Sequence, residues 1–386
     1  MAAMIPFAFF NIVNLFLTSL CKPSIRFHIG NGMVFLGLVV TIILVKLQLA
    51  ARTFFAITLT VVVMLNTGCA ILQGSVLGIL SYLPPHHVGG YLEGQALAGI
   101  LASVSNLVVI AAASDMSSSA SAYFAIAIAF IAMATSLFLL LPKNPHYSYY
   151  LHKPCKLLLI DFASHTMEFH IVLFITAEQN VEPLNSSQEP DDIPEVVIHK
   201  PRASFKETLW AIFSSLREPG LMGFVAFFSL YLTLSLFPSL FLTIQLTDDA
   251  PWRVKYYKPI FLFLLFNICD YISRKIAVLT KWPRQNQRLL LLVYSLLRLL
   301  LVLAVMFCNQ ANKKYFPVLF HSDVFIPVFI VLLGFTNGHL LTLAFMYAPS
   351  YASPGNEEKV SVAMGLYVAF GLGLGVATSF PLSLLL

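Results

Sequence analysis

Long apolar stretches recur along the whole chain, and they restrict its possible folds more than any other feature. A helix needs about 20 largely apolar residues to cross a bilayer, and ten such segments can be marked. Apolar residues make up 58% of the chain and charged residues only 11%, whereas a soluble domain carries about 25% charged residues. The sequence therefore predicts an all-α, polytopic membrane protein. The predicted spans are 3–20, 32–49, 54–82, 93–113, 121–141, 221–246, 257–280, 289–308, 324–348 and 360–385.

A long central segment divides the ten spans into two groups of five. We predict an N-terminal helical bundle over 1–142, a loop over 143–220 and a C-terminal bundle over 221–386. Lys and Arg favour the cytoplasmic side, and loops on the side of 143–220 hold more than twice as many as the opposite loops. This places the long loop in the cytoplasm. Within it, 178–201 is polar and proline-rich, as in disordered segments, and 204–218 resembles an amphipathic helix at the membrane face.

Charge and motifs exclude several classes of function. The formal net charge is +5, but the basic residues are spread over short loops between spans, so nucleic-acid binding is not predicted. The sequence holds no CxxC pair, no Walker motif and no nucleophile–base constellation. We therefore predict no enzyme, no metal centre and no cofactor.

The stretch FLFLLFNICDYISRK, residues 261–275, carries charge inside a predicted span. Asp270 and Arg274 are four residues apart and so share one helix face, with Asn267 about one turn earlier. A charge at the bilayer centre costs about 2.5–3.5 kcal/mol on insertion scales and faces a protein interior or a watery cavity. Because a carboxylate accepts hydrogen bonds and a guanidinium donates them, the pair suits a neutral, hydroxyl-rich solute. The alternative is a structural ion pair that joins two helices.

Two further spans contain polar groups that need partners. The amide of Gln73 either contacts a ligand or bonds to a neighbouring helix, while Gly74 and Gly78 have a spacing that favours close helix packing. His339 either titrates near neutral pH or is a satisfied interior histidine. These alternatives stay open on the sequence alone.

Three more charges are candidates for specific pairing. Arg26 and Glu358 fall in the first and last predicted cytoplasmic loops. They are either separately solvated or form a pair that closes the inner side of a cavity. Arg298 lies within a predicted span, and we expect it to pair with a carboxylate or a helix C-terminus.

Five stretches, in order along the chain, resemble the equilibrative nucleoside transporters. They are AILQGS (70–75), EGQALAGILASV (93–104), FNICDYISR (266–274), LLGFTNGHL (332–340) and the last span with its GLGLG. The resemblance implies a fold of eleven helices, six plus five, related to the major facilitator architecture. It also implies alternating-access movement of purine and pyrimidine nucleosides, such as adenosine and uridine, down their gradient without a cofactor. The expected location is the plasma membrane, with an organelle membrane as the alternative.

The resemblance also implies roles for individual residues. Asp270 and Arg274 match the family's ribose-contacting pair, and Gln73 matches its base-contacting glutamine. Arg26 and Glu358 match positions assigned to the cytoplasmic gate. The positions that line the family's cavity match Asn267, Phe263, Met4 and Leu372.

Three features depart from the family pattern. The chain begins where the family's second helix begins, so we expect the first helix, with its LPWN-like motif, to be missing. Cys69 stands where a small residue sets inhibitor sensitivity, and His339 replaces the usual tyrosine after Asn-Gly. Two rival hypotheses follow. One is a cation- or proton-coupled transporter of another small solute that uses Asp270 and His339, and the other is a shortened, non-transporting isoform.

Overall fold

A computed structural model describes residues 4–47, 49–112, 116–145, 147–149, 214, 216–245, 250–310 and 317–384. Regular structure within these ranges is helical, and the only β-pairing there consists of two isolated bridges. The predicted disorder over 178–201 lies outside the described residues. So does most of the amphipathic helix predicted over 204–218.

Five helices precede the long central segment. Pro23 and Pro85 occupy the first turns of two of these helices, where the missing N–H costs no intrahelical hydrogen bond. The helices are α1 (Met4–Leu20), α2 (Pro23–Lys46), α3 (Ala51–Leu80), α4 (Pro85–Ala112) and α5 (Met116–Leu140).

The described residues after 219 form seven α-helices. They are α6 (Gly220–Leu236), α7 (Ser239–Leu242), α8 (Leu265–Thr280), α9 (Arg288–Leu297), α10 (Leu299–Met306), α11 (Phe325–Tyr347) and α12 (Glu357–Leu384). A π-helix over Arg253–Leu264, with Pro259 inside it, runs directly into α8. The span predicted over 289–308 corresponds to Arg288–Met306, where the helix is interrupted at Arg298 between α9 and α10.

Eight described segments are long and apolar enough to cross a membrane, and the pair α9–α10 counts as one of them. Two other spans were predicted, over 3–20 and 257–280. Helix α1, with its apolar stretch Ile5–Thr18, occupies the first, and the π-helix together with α8 occupies the second. The prediction of an all-α polytopic membrane protein is confirmed. The division into two bundles of five spans stays a prediction.

The largest apolar cluster joins helices from both sides of the central segment. It includes Leu77 of α3, Leu92 of α4, Val225 of α6, Leu340 of α11 and Met364 of α12. Around it, α8 packs on α11 and α4, while α12 packs on α6, α1 and α3. The candidate residues of α8 are therefore held between helices of both groups.

Glycines allow the closest of these approaches. A side chain at Gly375 of α12 would lie 2.6 Å from the carbonyl oxygen of Tyr231 in α6. A side chain at Gly334 of α11 would lie 2.8 Å from the carbonyl oxygen of Phe266 in α8. The GLGLG stretch thus lies at a helix interface, as predicted.

Candidate functional site

The two charges of α8 lie in the protein interior. Asp270 and Arg274 have 4% and 6% of their surface exposed, and Arg274 Nε donates to Asp270 Oδ2 over 2.8 Å. Ile272 and Leu279 of the same helix are exposed, so α8 turns its apolar side outward. The pairing predicted from the four-residue spacing is confirmed, and the pair does not face lipid.

Two neighbouring helices hold this pair. Asn337 Nδ2 of α11 donates to Asp270 Oδ1 over 2.8 Å, and Arg274 Nη1 donates to the carbonyl oxygen of Leu92 in α4 over 3.1 Å. Gly338 brings α11 against α8, because any side chain there would collide with Ser273 and the Asp270 carbonyl. The pair therefore joins helices, as the alternative of a structural ion pair predicted. The same contacts are compatible with substrate binding.

Arg298 extends the polar network into α6. It is 2% exposed, and it donates from Nη1 to the carbonyl and hydroxyl oxygens of Ser229 and from Nη2 to Thr233 Oγ1. Thr233 Oγ1 lies 2.9 Å from Asn337 Oδ1 and can donate its proton there. The predicted pairing of Arg298 with a carboxylate or a helix C-terminus is wrong. Its partners are the hydroxyls and a mid-helix carbonyl of α6.

The result is one hydrogen-bonded chain that runs from Arg298 through Thr233 and Asn337 to Asp270 and Arg274. Asn337 is fixed in orientation, because its oxygen meets Thr233 and its nitrogen meets Asp270. Sequence reasoning missed the α6 residues, since serine and threonine in a span are common. Their four-residue spacing, which puts Ser229 and Thr233 on one helix face, was the available signal.

Asn267 continues the polar face of α8 by one turn. Its Nδ2 donates to Ser103 Oγ of α4 over 3.0 Å and to the carbonyl oxygen of Phe263 over 2.9 Å. Gly99 of α4 lies directly against the Asn267 side chain. Phe263 is half-buried and packs edge-on against Phe237, with ring centroids 5.3 Å apart. Three of the predicted site residues of α8 thus form a single stripe against α4 and α11.

Two further candidates, Gln73 and Cys69, belong to α3. Gln73 is half-buried and makes no hydrogen bond to the described part of the chain, and Cys69, one turn earlier, is exposed. Tyr91 of α4 accepts a hydrogen bond at its phenol oxygen from Gln95 Nε2 over 2.9 Å.

The last two cavity candidates belong to α12 and α1. Leu372 is half-buried and packs against Phe7, Ala70 and Ala369, where α1, α3 and α12 meet. Both Leu372 and Tyr91 also pack against the largest apolar cluster. Met4 begins α1, and its side chain lies outside the part of the structure that is described.

Arg26 and Glu358 meet, as the pairing hypothesis predicted. Arg26 is 1% exposed; it pairs with Glu358 Oε1 and donates from Nη1 to Asn14 Oδ1 over 3.1 Å. Tyr82 donates its hydroxyl to Glu358 Oε2 over 3.0 Å. Burial and the negative charge of Glu358 raise the pKa of Tyr82 well above its usual range, so the phenol stays a donor. The cluster joins α1, α2, α12 and the turn after α3.

His339 of α11 is buried among aromatic rings. It is 5% exposed, its ring stacks on Phe335 and lies near Tyr294, and its Nδ1 has no hydrogen-bonding partner among the described residues. The expectation of a satisfied histidine is therefore wrong for Nδ1. The described partners of the Asp270 carboxylate are Arg274 and Asn337, so no hydrogen bond joins it to His339. Within the described ranges, no three His, Cys, Asp or Glu side chains gather closely enough to hold a metal ion.

The chain resembles known proteins over nearly its whole length. A family model described as "Nucleoside transporter" matches residues 38–384. Equilibrative nucleoside transporter 1 of Rattus norvegicus is 29% identical in an alignment that covers 99% of this chain and 80% of that protein. Equilibrative nucleoside transporter 2 of Mus musculus is 29% identical over 99% of this chain and 84% of its own length. Equilibrative nucleoside transporter 3 of Rattus norvegicus is 28% identical over 97% and 75%, respectively.

Proposed function

This chain belongs to the nucleoside transporter family, and we propose that it holds the ribose of its substrate at Asp270 and Arg274. The earlier resemblance is confirmed, and the chain is a multi-pass membrane protein for facilitative nucleoside transport. The observation that carries the proposal is a buried acid–base pair held in place by Asn337 and the Leu92 carbonyl.

The pair retains hydrogen-bonding capacity for a sugar. A guanidinium has five N–H donors, and in Arg274 the Nη2 group is not engaged by Asp270 or Leu92. Each Asp270 oxygen accepts one described hydrogen bond, and a carboxylate oxygen offers two lone-pair sites. Ribose hydroxyls both donate and accept, so they complement the free positions on the two side chains.

Substrate entry requires helices to separate around this pair. Three side-chain hydrogen bonds run from α8 to α4. They join Lys275 to Glu93, Arg274 to the Leu92 carbonyl, and Asn267 to Ser103. Alternating access then consists of breaking and remaking these contacts. The moving bodies that we propose are the bundles 1–142 and 221–386, with the loop 143–220 between them.

We assign the base-contacting role to Gln73, whose amide is free to bind a ligand, with Phe263, Asn267, Met4 and Leu372 lining the cavity. Cys69, one turn before Gln73, is the proposed determinant of inhibitor sensitivity. Substrates of the proposed site are purine and pyrimidine nucleosides, adenosine and uridine among them. The proposed location is the plasma membrane.

Arg26 and Glu358 form the proposed cytoplasmic gate. Glu358 lies at the start of α12. This is the same end of the bundle as the loop 281–287, because Tyr347, at the end of α11, donates its hydroxyl to the Lys281 carbonyl. Because the ion pair is formed and Tyr82 and Asn14 support it, this conformation is closed at that end. Opening requires the four side chains to part.

Uptake of radiolabelled uridine into proteoliposomes that contain only this chain tests the proposal. Asp270→Asn keeps the shape of the side chain but removes the charge that accepts the sugar hydroxyls. A hydrogen bond to a charged group contributes about 1.5–3 kcal/mol, so uptake should fall by about tenfold to a hundredfold. Thr280→Ala is the control on the same helix, because Thr280 is exposed and its hydroxyl bonds to the Ile276 carbonyl of its own helix.

Equal uptake by the Asp270→Asn variant and the native chain would contradict the ribose site. Absence of uptake by the native chain itself would support the non-transporting isoform. Uptake that follows an imposed pH gradient and ignores nucleosides would support the proton-coupled alternative.

A further inference from the structure

A cavity of about 430 Å³ lies outside the spans, beside the loop between α8 and α9. Its lining includes two arginines and no carboxylate, and the residues are Arg284, Gln285, Asn286, Arg288 and Tyr351. Among the described residues, neither arginine forms an ion pair. Two uncompensated guanidinium groups around a concave space favour an anionic ligand.

The loop that carries the two arginines is fixed in place. Tyr351 donates its hydroxyl to the Gln285 carbonyl over 2.9 Å, and Gln285 Nε2 donates to Ser350 Oγ over 2.7 Å. The guanidinium of Arg288 stacks over the Tyr351 ring at 4.6 Å, which orients its planar donors. A site held this way loses little conformational entropy when a ligand binds.

The start of α9 adds further donors. Helix α9 has ten residues and begins at Arg288, and its N-cap Gln287 makes no side-chain capping bond. The first N–H groups of a helix have no partner within the helix and favour negative charge. They supplement the guanidinium groups at the same edge of the cavity.

The surroundings place this cavity at the level of lipid headgroups. Leu279, Trp282 and Leu289 flank the loop and are 73%, 57% and 75% exposed. Exposed tryptophan is typical of the membrane–water interface, and the exposed leucines belong to the ends of two spans. The loop also lies on the predicted cytoplasmic side, where acidic lipids concentrate.

We propose that this cavity binds the phosphate headgroup of an acidic phospholipid. Arginine forks match phosphate geometry through paired hydrogen bonds, and basic pockets beside spans on the cytoplasmic side hold such headgroups. A soluble phosphate shares this chemistry, but the flanking apolar side chains match acyl tails.

The test measures retention of phosphatidylinositol phosphate by the full chain, using native mass spectrometry after extraction from mixed vesicles with phosphatidylcholine. The double variant Arg284→Gln/Arg288→Gln should weaken retention by about fivefold for each arginine removed. The control variant Arg52→Gln/Lys255→Gln removes the same charge from the opposite end of the bundle and should retain the lipid. Equal retention by the native chain and the first double variant, or an equal loss in the control, would overturn the proposal.

Two further experiments distinguish the effect of charge from that of guanidinium geometry, and binding of a lipid from binding of a free anion. Arg284→Lys/Arg288→Lys keeps the charge and removes the forks, and it should fall between the native chain and the glutamine variant. Inorganic phosphate at the lipid's concentration should leave the lipid bound. Displacement by inorganic phosphate would overturn the assignment to a lipid. If the lysine variant retains the lipid as well as the native chain does, the paired hydrogen bonds of arginine are not required.

Discussion

Asn337 donates from Nδ2 to Asp270 Oδ1 over 2.8 Å, while its own oxygen lies 2.9 Å from the hydroxyl of Thr233. The orientation of one amide is therefore set from both sides by different helices. This relationship makes Asn337 a positioning residue for the Asp270–Arg274 pair, although it need not contact a substrate.

Replacement of Asn337 by alanine should lower uridine uptake without abolishing surface expression. A hydrogen bond to a charged group contributes about 1.5–3 kcal/mol, so uptake should fall by about tenfold to a hundredfold. Thr336→Ala is the control, because the Thr336 hydroxyl bonds only to carbonyls of its own helix. Uptake by Asn337→Ala at the level of the control would exclude the positioning role.

Arg298 and Asn337 should be energetically coupled. Arg298→Met removes a buried charge whose described partners are neutral groups of α6, and apolar replacements of buried ionic groups are often near neutral for stability. We therefore expect a small change in Tm but a clear loss of uptake, because Thr233 is then free to reorient. In a double-mutant cycle on uptake, residues in one network couple by about 0.5–3 kcal/mol; strict additivity would contradict the chain of hydrogen bonds.

Glu358→Ala should lower the stability of the folded chain far more than Glu357→Ala. Arg26 is almost fully buried, and removing the partner of a buried charge costs about 3–5 kcal/mol. The neighbouring Glu357 has no described bond to Arg26, so it is a matched control of equal charge. Thermal unfolding of the purified chain, together with uptake, measures the difference. Similar losses in both variants would show that Arg26 does not depend on Glu358.

Two glycine-to-alanine variants should have opposite effects on stability. Gly338→Ala places a methyl group into Ser273 and the Asp270 carbonyl, and overpacking of this kind costs about 1–3 kcal/mol. At Gly90 the added methyl group meets nothing within 4 Å, so the higher helix propensity of alanine should leave stability unchanged or slightly raised. Melting temperatures of the two variants test this. A stable Gly338→Ala variant would mean that α8 and α11 can separate at low cost.

The sequence predicted the positions of the spans and the Asp270–Arg274 pair because both depend on local periodicity. Apolar length defines a span, and a four-residue spacing defines a helix face, without any knowledge of neighbours. The break at Arg298 was not predictable in this way. The groups of α6 that bind the Arg298 side chain lie more than 60 residues away in the chain.

Contacts between distant helices account for the remaining differences. Asn14 and Tyr82 are ordinary residues in their own segments, and only the packing of α1, α2, α3 and α12 gives them charged neighbours. By contrast, the pairing of Arg26 with Glu358 could be proposed, since both charges fell in loops on the same side. Buried polar groups in spans require partners, but the sequence does not say which helix supplies them.

The three contacts between α4 and α8 differ in their access to water, and this difference sets an order of release. Lys275 and Glu93 meet at the surface, where dissolved salt screens their attraction, whereas Arg274 and the Leu92 carbonyl meet in the interior. Separation of the two helices should therefore start at the outer pair and end at the inner one. Ionic strength would then change how often the Lys275–Glu93 pair opens. Breaking of the Arg274–Leu92 hydrogen bond would limit the rate of turnover.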